Sequence, residues 1–177
     1  MMKLYYTTVK EPDSPNSRPD LSLGGYKSST PIPNASNSNL FSDVSIYSVY
    51  SDKEEYIGIA VKNESSSKLE NVNLWFNVPE DSQIEVEVAA TIPNESGMVE
   101  TIPNTFSRPM YSEFFSANSE EDKVGVGDIE AGEFIFLWLM KKINIDKVNE
   151  HEEDEVIISN PKRKEANEDI KLIFEWE

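Results

Sequence analysis

The chain has 177 residues, 38% of them hydrophobic and 10% aromatic, which suits one hydrophobic core with an appendage rather than two full domains. Its 33 acidic residues outweigh 16 basic ones, for a formal net charge of −17, so a phosphate backbone or an anionic lipid surface would repel it; neither nucleic acid nor membrane is an expected partner. With no cysteine there is no disulfide framework, thiolate metal site or cysteine nucleophile.

The first thirteen residues lack the apolar stretch of a secretory signal, and no run approaches the roughly 18 apolar residues of a membrane span, so a chain made and used in soluble form is expected. Residues 4–9 form a first candidate strand. From Pro12 to Asn39 the composition turns to Pro, Ser, Asn and Gly, with five of the ten prolines. Such a stretch buries too little apolar surface to offset its own ordering entropy. Residues 1–39 are therefore expected to be an extended N-terminal arm that orders only by docking, on its own domain or on neighbouring chains. Leu21, Leu23, Tyr26 and Ile32 are spaced as its anchors, and Gly24-Gly25 provides a bend or a point of close backbone approach.

From Leu40 onward, alternation takes over. Residues 44–50 read as a strand. In Asn71-Val72-Asn73-Leu74-Trp75-Phe76-Asn77-Val78 the even positions are apolar and most odd ones are Asn, the pattern of a strand with one wet face. Ile84, Val86, Val88, Ala90 and Ile92 repeat it, as do Ile170, Leu172, Phe174 and Trp176 near the C-terminus. Two further runs, Tyr56-Ile57-Gly58-Ile59-Ala60-Val61 and Phe134-Ile135-Phe136-Leu137-Trp138-Leu139-Met140, are apolar on both sides. Each is either central in a sheet and covered by a second layer, or turns its outer face to another subunit. Periodicity alone admits a buried helix at 134–140, but Gly132 and the β-forming residues favour a strand. With a short piece at 123–126 the count reaches about seven strands, predicting an all-β, immunoglobulin-like antiparallel β-sandwich over residues 40–177.

Short polar connectors lie at 51–54, 63–67, 79–82 and 129–132. Asn63-Glu64-Ser65 and Asn94-Glu95-Ser96 fit the glycosylation pattern but are read as turn residues. Two longer excursions stand out. Residues 144–168 are mostly charged. Residues 93–122 carry Phe106, Tyr111, Phe114 and Phe115, and a structureless loop of about 30 residues is uncommon in a compact domain. These aromatics either cap the sandwich as satellite core or form a contact patch, since aromatics are enriched at interface centres.

Signs of catalytic chemistry are sparse. The single histidine, His151, sits in Glu150-His151-Glu152-Glu153-Asp154-Glu155, where acidic neighbours favour its protonated form and spoil it as a base. The same run lacks the alternating spacing and glycine of a calcium loop. Gly24-Gly25 is too short for a phosphate cradle, and Lys162-Arg163-Lys164 reads as loop charge. No catalytic residue, cofactor or metal is expected, and the chain is not expected to be an enzyme.

Taken together, Leu21-Ser22-Leu23-Gly24-Gly25-Tyr26-Lys27-Ser28-Ser29-Thr30-Pro31-Ile32-Pro33-Asn34, then Asn39-Leu40-Phe41-Ser42-Asp43-Val44-Ser45, Glu55-Tyr56-Ile57-Gly58-Ile59-Ala60-Val61-Lys62-Asn63 and Asn71-Val72-Asn73-Leu74-Trp75, resemble virion structural proteins of tailed bacteriophages, particularly neck and tail components of crAss-like phages. Ile129-Glu130-Ala131-Gly132-Glu133-Phe134-Ile135-Phe136-Leu137-Trp138-Leu139 is similar to the closing strands of their immunoglobulin-like domains. Lys141-Lys142 departs from the pattern, standing where an arginine is expected. The resemblance implies a virion-located ring or collar subunit, a homo-oligomer joined head-to-tail that also touches other virion proteins, with its arm docked on adjacent copies. Strand addition at a sheet edge is the physical means. On this view Leu21, Leu23, Tyr26, Ile32, Tyr111, Phe114 and Phe115 bind partners, and removal of residues 1–39 leaves a folded domain. A carbohydrate- or host-receptor-binding module is the alternative, on the strength of the aromatics near 106–115.

Overall fold

A computed structural model of the chain describes residues 1–41, 54–143 and 170–177. The expected strand at 44–50, the charged excursion with His151 and the basic triplet at 162–164 lie outside the described residues. The protein is an antiparallel β-sandwich, with one large and one small layer. In chain order its strands are β1 (Met2–Thr8), β2 (Gly24–Pro31), β3 (Glu55–Asn63), β4 (Leu69–Phe76), β5 (Ile84–Thr91), β6 (Val99–Thr101), β7 (Phe115–Ser116), β8 (Val124–Ile129), β9 (Phe134–Ile143) and β10 (Leu172–Glu175). The only α-helix among the described residues is the single turn Asn37–Leu40. The seven-stranded sheet runs β6-β2-β1-β3-β9-β5-β7 and the three-stranded sheet β10-β4-β8.

Strands β3 and β9 form the centre, in unbroken register from Glu55↔Lys141 to Lys62↔Phe134. Their double-sided apolar character is resolved within this chain. Ile57, Ile59, Val61, Leu137 and Leu139 face the small sheet, where Val72, Leu74, Phe76, Ile129 and Leu172 complete the main core. Tyr56, Trp138 and Met140 point the opposite way and are covered by Leu23, Ile102 and Phe114, while Ala60 and Phe136 meet Tyr5 and Val99. Both faces of the large sheet are therefore buried at its centre, with no call for a second subunit to cover these strands.

Three expectations from alternation need correction. Over residues 40–177, where about seven strands were expected, eight are described, because β6 and β7 are too short to show a period; β1 answers the candidate at 4–9, and β2 lies in the stretch whose composition reads as disorder. Ile84, Val86 and Val88 are buried as expected, but Ala90 is exposed and Ile92 is 91% exposed, since the pairing of β5 with β9 ends at Thr91. Ile170 and Leu172 are buried, Phe174 is half-buried, and Trp176 lies outside the last strand and is exposed.

Of the two places where residues 1–39 were expected to dock, the chain's own domain and neighbouring chains, the described pairings show the first. Strand β1 lies between β2 and β3, pairing Met2↔Asn63 through Tyr6↔Ile59 on one side and Thr8↔Tyr26 on the other. Leu4, Tyr6 and Ile32 belong to the main core. Residues 2–32 thus pair and pack with the strands of the sandwich. What composition hid is a set of polar contacts that orders the segment without a long apolar run. Ser22 Oγ accepts from Thr7 N at 2.8 Å and donates to the Gly58 carbonyl at 2.6 Å, and Gly24 N donates to Thr7 Oγ1 at 3.0 Å. Thr7 and Ser22 are fully buried, so these bonds are made away from competing water. Asn16 Nδ2 adds a 2.7 Å bond to the Thr7 carbonyl.

Gly58 and Gly24 make that approach possible. A Cβ on Gly58 would stand 3.2 Å from Gly24 N. Gly24 has φ +87°, and a Cβ there would lie 2.0 Å from the Glu100 carbonyl oxygen and 3.0 Å from Cζ2 of Trp138. The two Asn-Glu-Ser sequences close turns as expected: Asn63 Oδ1 accepts from Ser65 N and Asn94 Oδ1 from Ser96 N, at 2.9 and 3.0 Å.

Two measurements test this arrangement. Gly24→Ala combines backbone strain with a collision against main chain and is expected to cost about 3 kcal/mol, whereas Gly127→Ala, with φ +84° but open space around its Cβ, is expected to cost about 1 kcal/mol; urea unfolding of both variants compares them directly. Deleting residues 1–31 removes an interior strand, so the truncated chain is expected to lose its cooperative unfolding transition; a truncated protein that still melts cooperatively counts against this account.

Candidate functional site

The residues expected to bind partners are distributed over three environments. Ile32 is 5% exposed and donates its N–H to the Leu4 carbonyl at 2.8 Å, so it is a core residue. Leu23 and Phe114 are half-buried and pack on the outer-face cluster around Trp138. Tyr26 is half-buried on β2, and Leu21, on a 3-10 turn at Pro19–Leu21, is exposed. Tyr111 and Phe115 are open to solvent, at 84% and 51%. The structure therefore does not gather the seven residues into one surface. It separates an exposed set on the 102–116 segment from residues used to build the fold.

That segment is held in place from below. Tyr56 N donates to the Thr105 carbonyl at 2.6 Å, and Ile102 N donates to the Leu23 carbonyl at 3.0 Å, tying its first part to β3 and to the N-terminal segment. The ring of Phe114 meets the Tyr56 ring edge-on at 5.5 Å, and the Arg108 guanidinium lies 4.8 Å from the Phe114 centroid. Arg108 Nη1 also donates to Tyr56 Oη at 3.0 Å and pairs with Glu54 at 3.5 Å, while the Tyr56 hydroxyl donates to the same Glu54 carboxylate. Burial and then this carboxylate push the Tyr56 phenol far above its ordinary value, against the opposing pull of Arg108.

Glu100, the middle residue of β6, fixes the outermost part. Its Oε1 accepts from Met110 N at 2.7 Å and its Oε2 from Tyr111 N at 3.1 Å. A carboxylate bridging two adjacent amides holds the backbone in one conformation while both side chains project outward, Met110 at 78% exposure. The result is an apolar tip of Met110 and Tyr111 on a braced loop, with Phe115 on the short strand β7, which pairs Val88↔Phe115 at the sheet margin. Sequence reasoning found Tyr111 and Phe115 by their type. It missed Met110, Glu100 and Arg108, because one acid among 33 carries no local mark and a braced loop has no period.

Lys141, the departure from the expected pattern, is inside the molecule. It pairs with Glu55 at 3.6 Å across the β3–β9 ladder, its ammonium 5.0 Å from the Phe41 centroid. A cation there closes a buried ion pair and is a structural feature. Among the described residues no group of three or more His, Asp or Glu side chains is arranged to hold a metal ion, and no helix is long and apolar enough to cross a membrane. No family model, no curated protein and no solved structure matches the chain.

The buried phenols make the alkaline limb of stability the informative one. Burial, and then the Glu64 carboxylate that accepts its proton at 2.8 Å, push Tyr5 up to about 12. A tyrosine in the unfolded chain ionises near 10, so the folded state holds these protons longer; the stabilisation is complete below pH 10 and is lost as pH rises from 10 to 12 and beyond. The melting temperature is expected to fall steadily across that window, and to fall less steeply in a Tyr5→Phe, Tyr56→Phe double variant. Circular dichroism melts at stepped pH check both, and equal slopes for the two proteins would contradict it.

Proposed function

We propose that the chain is a non-enzymatic structural subunit of a larger protein assembly, of the type found in the neck or tail of a tailed bacteriophage. The observation that carries the reading is the braced loop: Met110 and Tyr111 are 78% and 84% exposed, yet their backbone is held by both oxygens of Glu100. Exposing large apolar side chains on a loop already ordered in the free chain avoids the entropic cost of ordering it on contact, which is what a permanent interface rewards. The sequence resemblance to virion proteins supplies the kind of assembly, and a virion location goes with it.

The mode of contact in this proposal differs from an exchanged arm. Residues 2–8 and 24–31 are already paired within the chain. The outermost described strands of the large sheet, β6 and β7, are three and two residues long, and the pairing of β8 with β4 is broken by register shifts, so each offers little to an added strand. Side-chain docking through the loop is the better-supported means of contact.

A second reading, a carbohydrate- or host-receptor-binding module, draws on the open ring of Tyr111, which a sugar face could stack upon. It is weakened by Glu100, each of whose oxygens already accepts from a backbone amide, which leaves the carboxylate only part of its accepting capacity for sugar hydroxyls. Mass spectrometry of particles purified from the source culture is the direct test. The chain is expected in a constant ratio to the other particle proteins; its absence from particles, or a glycan-array signal abolished by Tyr111→Ala, favours the second reading.

A further inference from the structure

We infer that the tip of the 102–116 loop docks on a basic surface of a different protein, one that offers an apolar socket rimmed by lysine or arginine. This rests on the structural-subunit reading and adds the chemistry of the partner. Carboxylates predominate along the segment that carries the tip. Glu100, Glu113, Glu120, Glu121 and Asp122 lie along the segment from β6 to β8, and the last four are exposed. Against them stand Arg108, already paired with Glu54, and Lys123, paired with Glu175 at 2.7 Å. Glu120 to Asp122 form a single 3-10 turn between β7 and β8, packed near β4, and add to the acidic surplus of the segment rather than to the tip itself.

Elsewhere on the described surface the cations are largely occupied in the same way. Lys3 pairs with Glu64, Arg18 with Asp20, Lys27 with Asp13 and Lys68 with Asp128. With a formal charge of −17, the surplus on this molecule is carboxylate. A second copy would present the same sign and be repelled, whereas a basic surface is attracted over a Debye length of about 8 Å at physiological salt. Met110 and Tyr111 supply the desolvated centre of such a contact, with Glu100, bonded to their amides, and the exposed Glu113, two residues further along the chain, as its nearest acids in the segment.

The test uses the full-length chain, panned with a random peptide library. Alongside it runs a Met110→Ser, Tyr111→Ser double variant, whose changes fall on side chains at least 78% exposed and leave the core untouched. Peptides enriched on the parent protein are expected to combine Lys or Arg with an aromatic or Leu. They should bind the variant about tenfold or more weakly, and lose affinity as salt is raised. Enrichment of neutral or acidic peptides that still depend on Met110 and Tyr111 overturns the basic partner but leaves a docking loop in place. Peptides that bind parent and variant equally overturn the loop as an interface, and with it the observation that carries the structural-subunit reading. Sedimentation of the chain alone completes the test: a dimer abolished by the double variant overturns the inference in favour of self-association.

Discussion

The architecture depends on one constraint: the central strands β3 and β9 are apolar on both faces and must be covered twice. A sheet with one wet side needs a single partner layer, and β4, β8 and β10 would suffice for that. The second cover, over Tyr56, Trp138, Met140, Ala60 and Phe136, is assembled from pieces with little regular structure of their own: Leu23 from the N-terminal segment, Val99 and Ile102 around β6, and Phe114 from the long loop. At roughly 25 cal/mol for each square ångström of apolar surface removed from water, these aromatic and aliphatic contacts are what hold the irregular segments down.

The N-terminal segment meets this demand by close approach rather than by bulk. Ser22 and Thr7 bond to each other and to the backbone of β1 and β3 in a fully buried cluster, and that contact is open only because residue 58 and residue 24 are glycines. A buried hydroxyl pair of this kind is stabilising only when every bond is made, so the geometry around Gly58 is sharply specified. The neighbouring Trp138 is packed beneath Gly24, and its indole N–H has no hydrogen-bond partner among the described residues.

Having been pulled over the outer face, the 102–116 loop is also in a position to act. Its inner residues, Thr105, Arg108 and Phe114, are spent on Tyr56 and Glu54, and Glu100 holds the next stretch, so Met110 and Tyr111 are displayed on backbone that does not need to be ordered again on binding. The core and the displayed loop tip are linked through Tyr56, whose ring caps the core and whose hydroxyl and amide together anchor the loop. A disturbance at this one residue therefore reaches both stability and the displayed tip.

Alternation was enough to read β4 and the first half of β5 directly from sequence, because side chains on a pleated strand must alternate, while β3 and β9 were marked by short apolar runs of β-forming residues; together they made the all-β class and the sandwich legible. Tyr111 and Phe115 were legible as exposed candidates by residue type alone. Where the chain is ordered by contacts distant in sequence, local pattern was silent. Ser22 and Gly58 are 36 residues apart, and Glu54 and Arg108 are 54, so neither the integration of the first 31 residues nor the bracing of the loop leaves a local periodic signature. Composition fairly described residues 12–39 as too polar to fold alone, and only the tertiary structure decided that they do not have to, since the double-faced sheet supplies the surface on which they order.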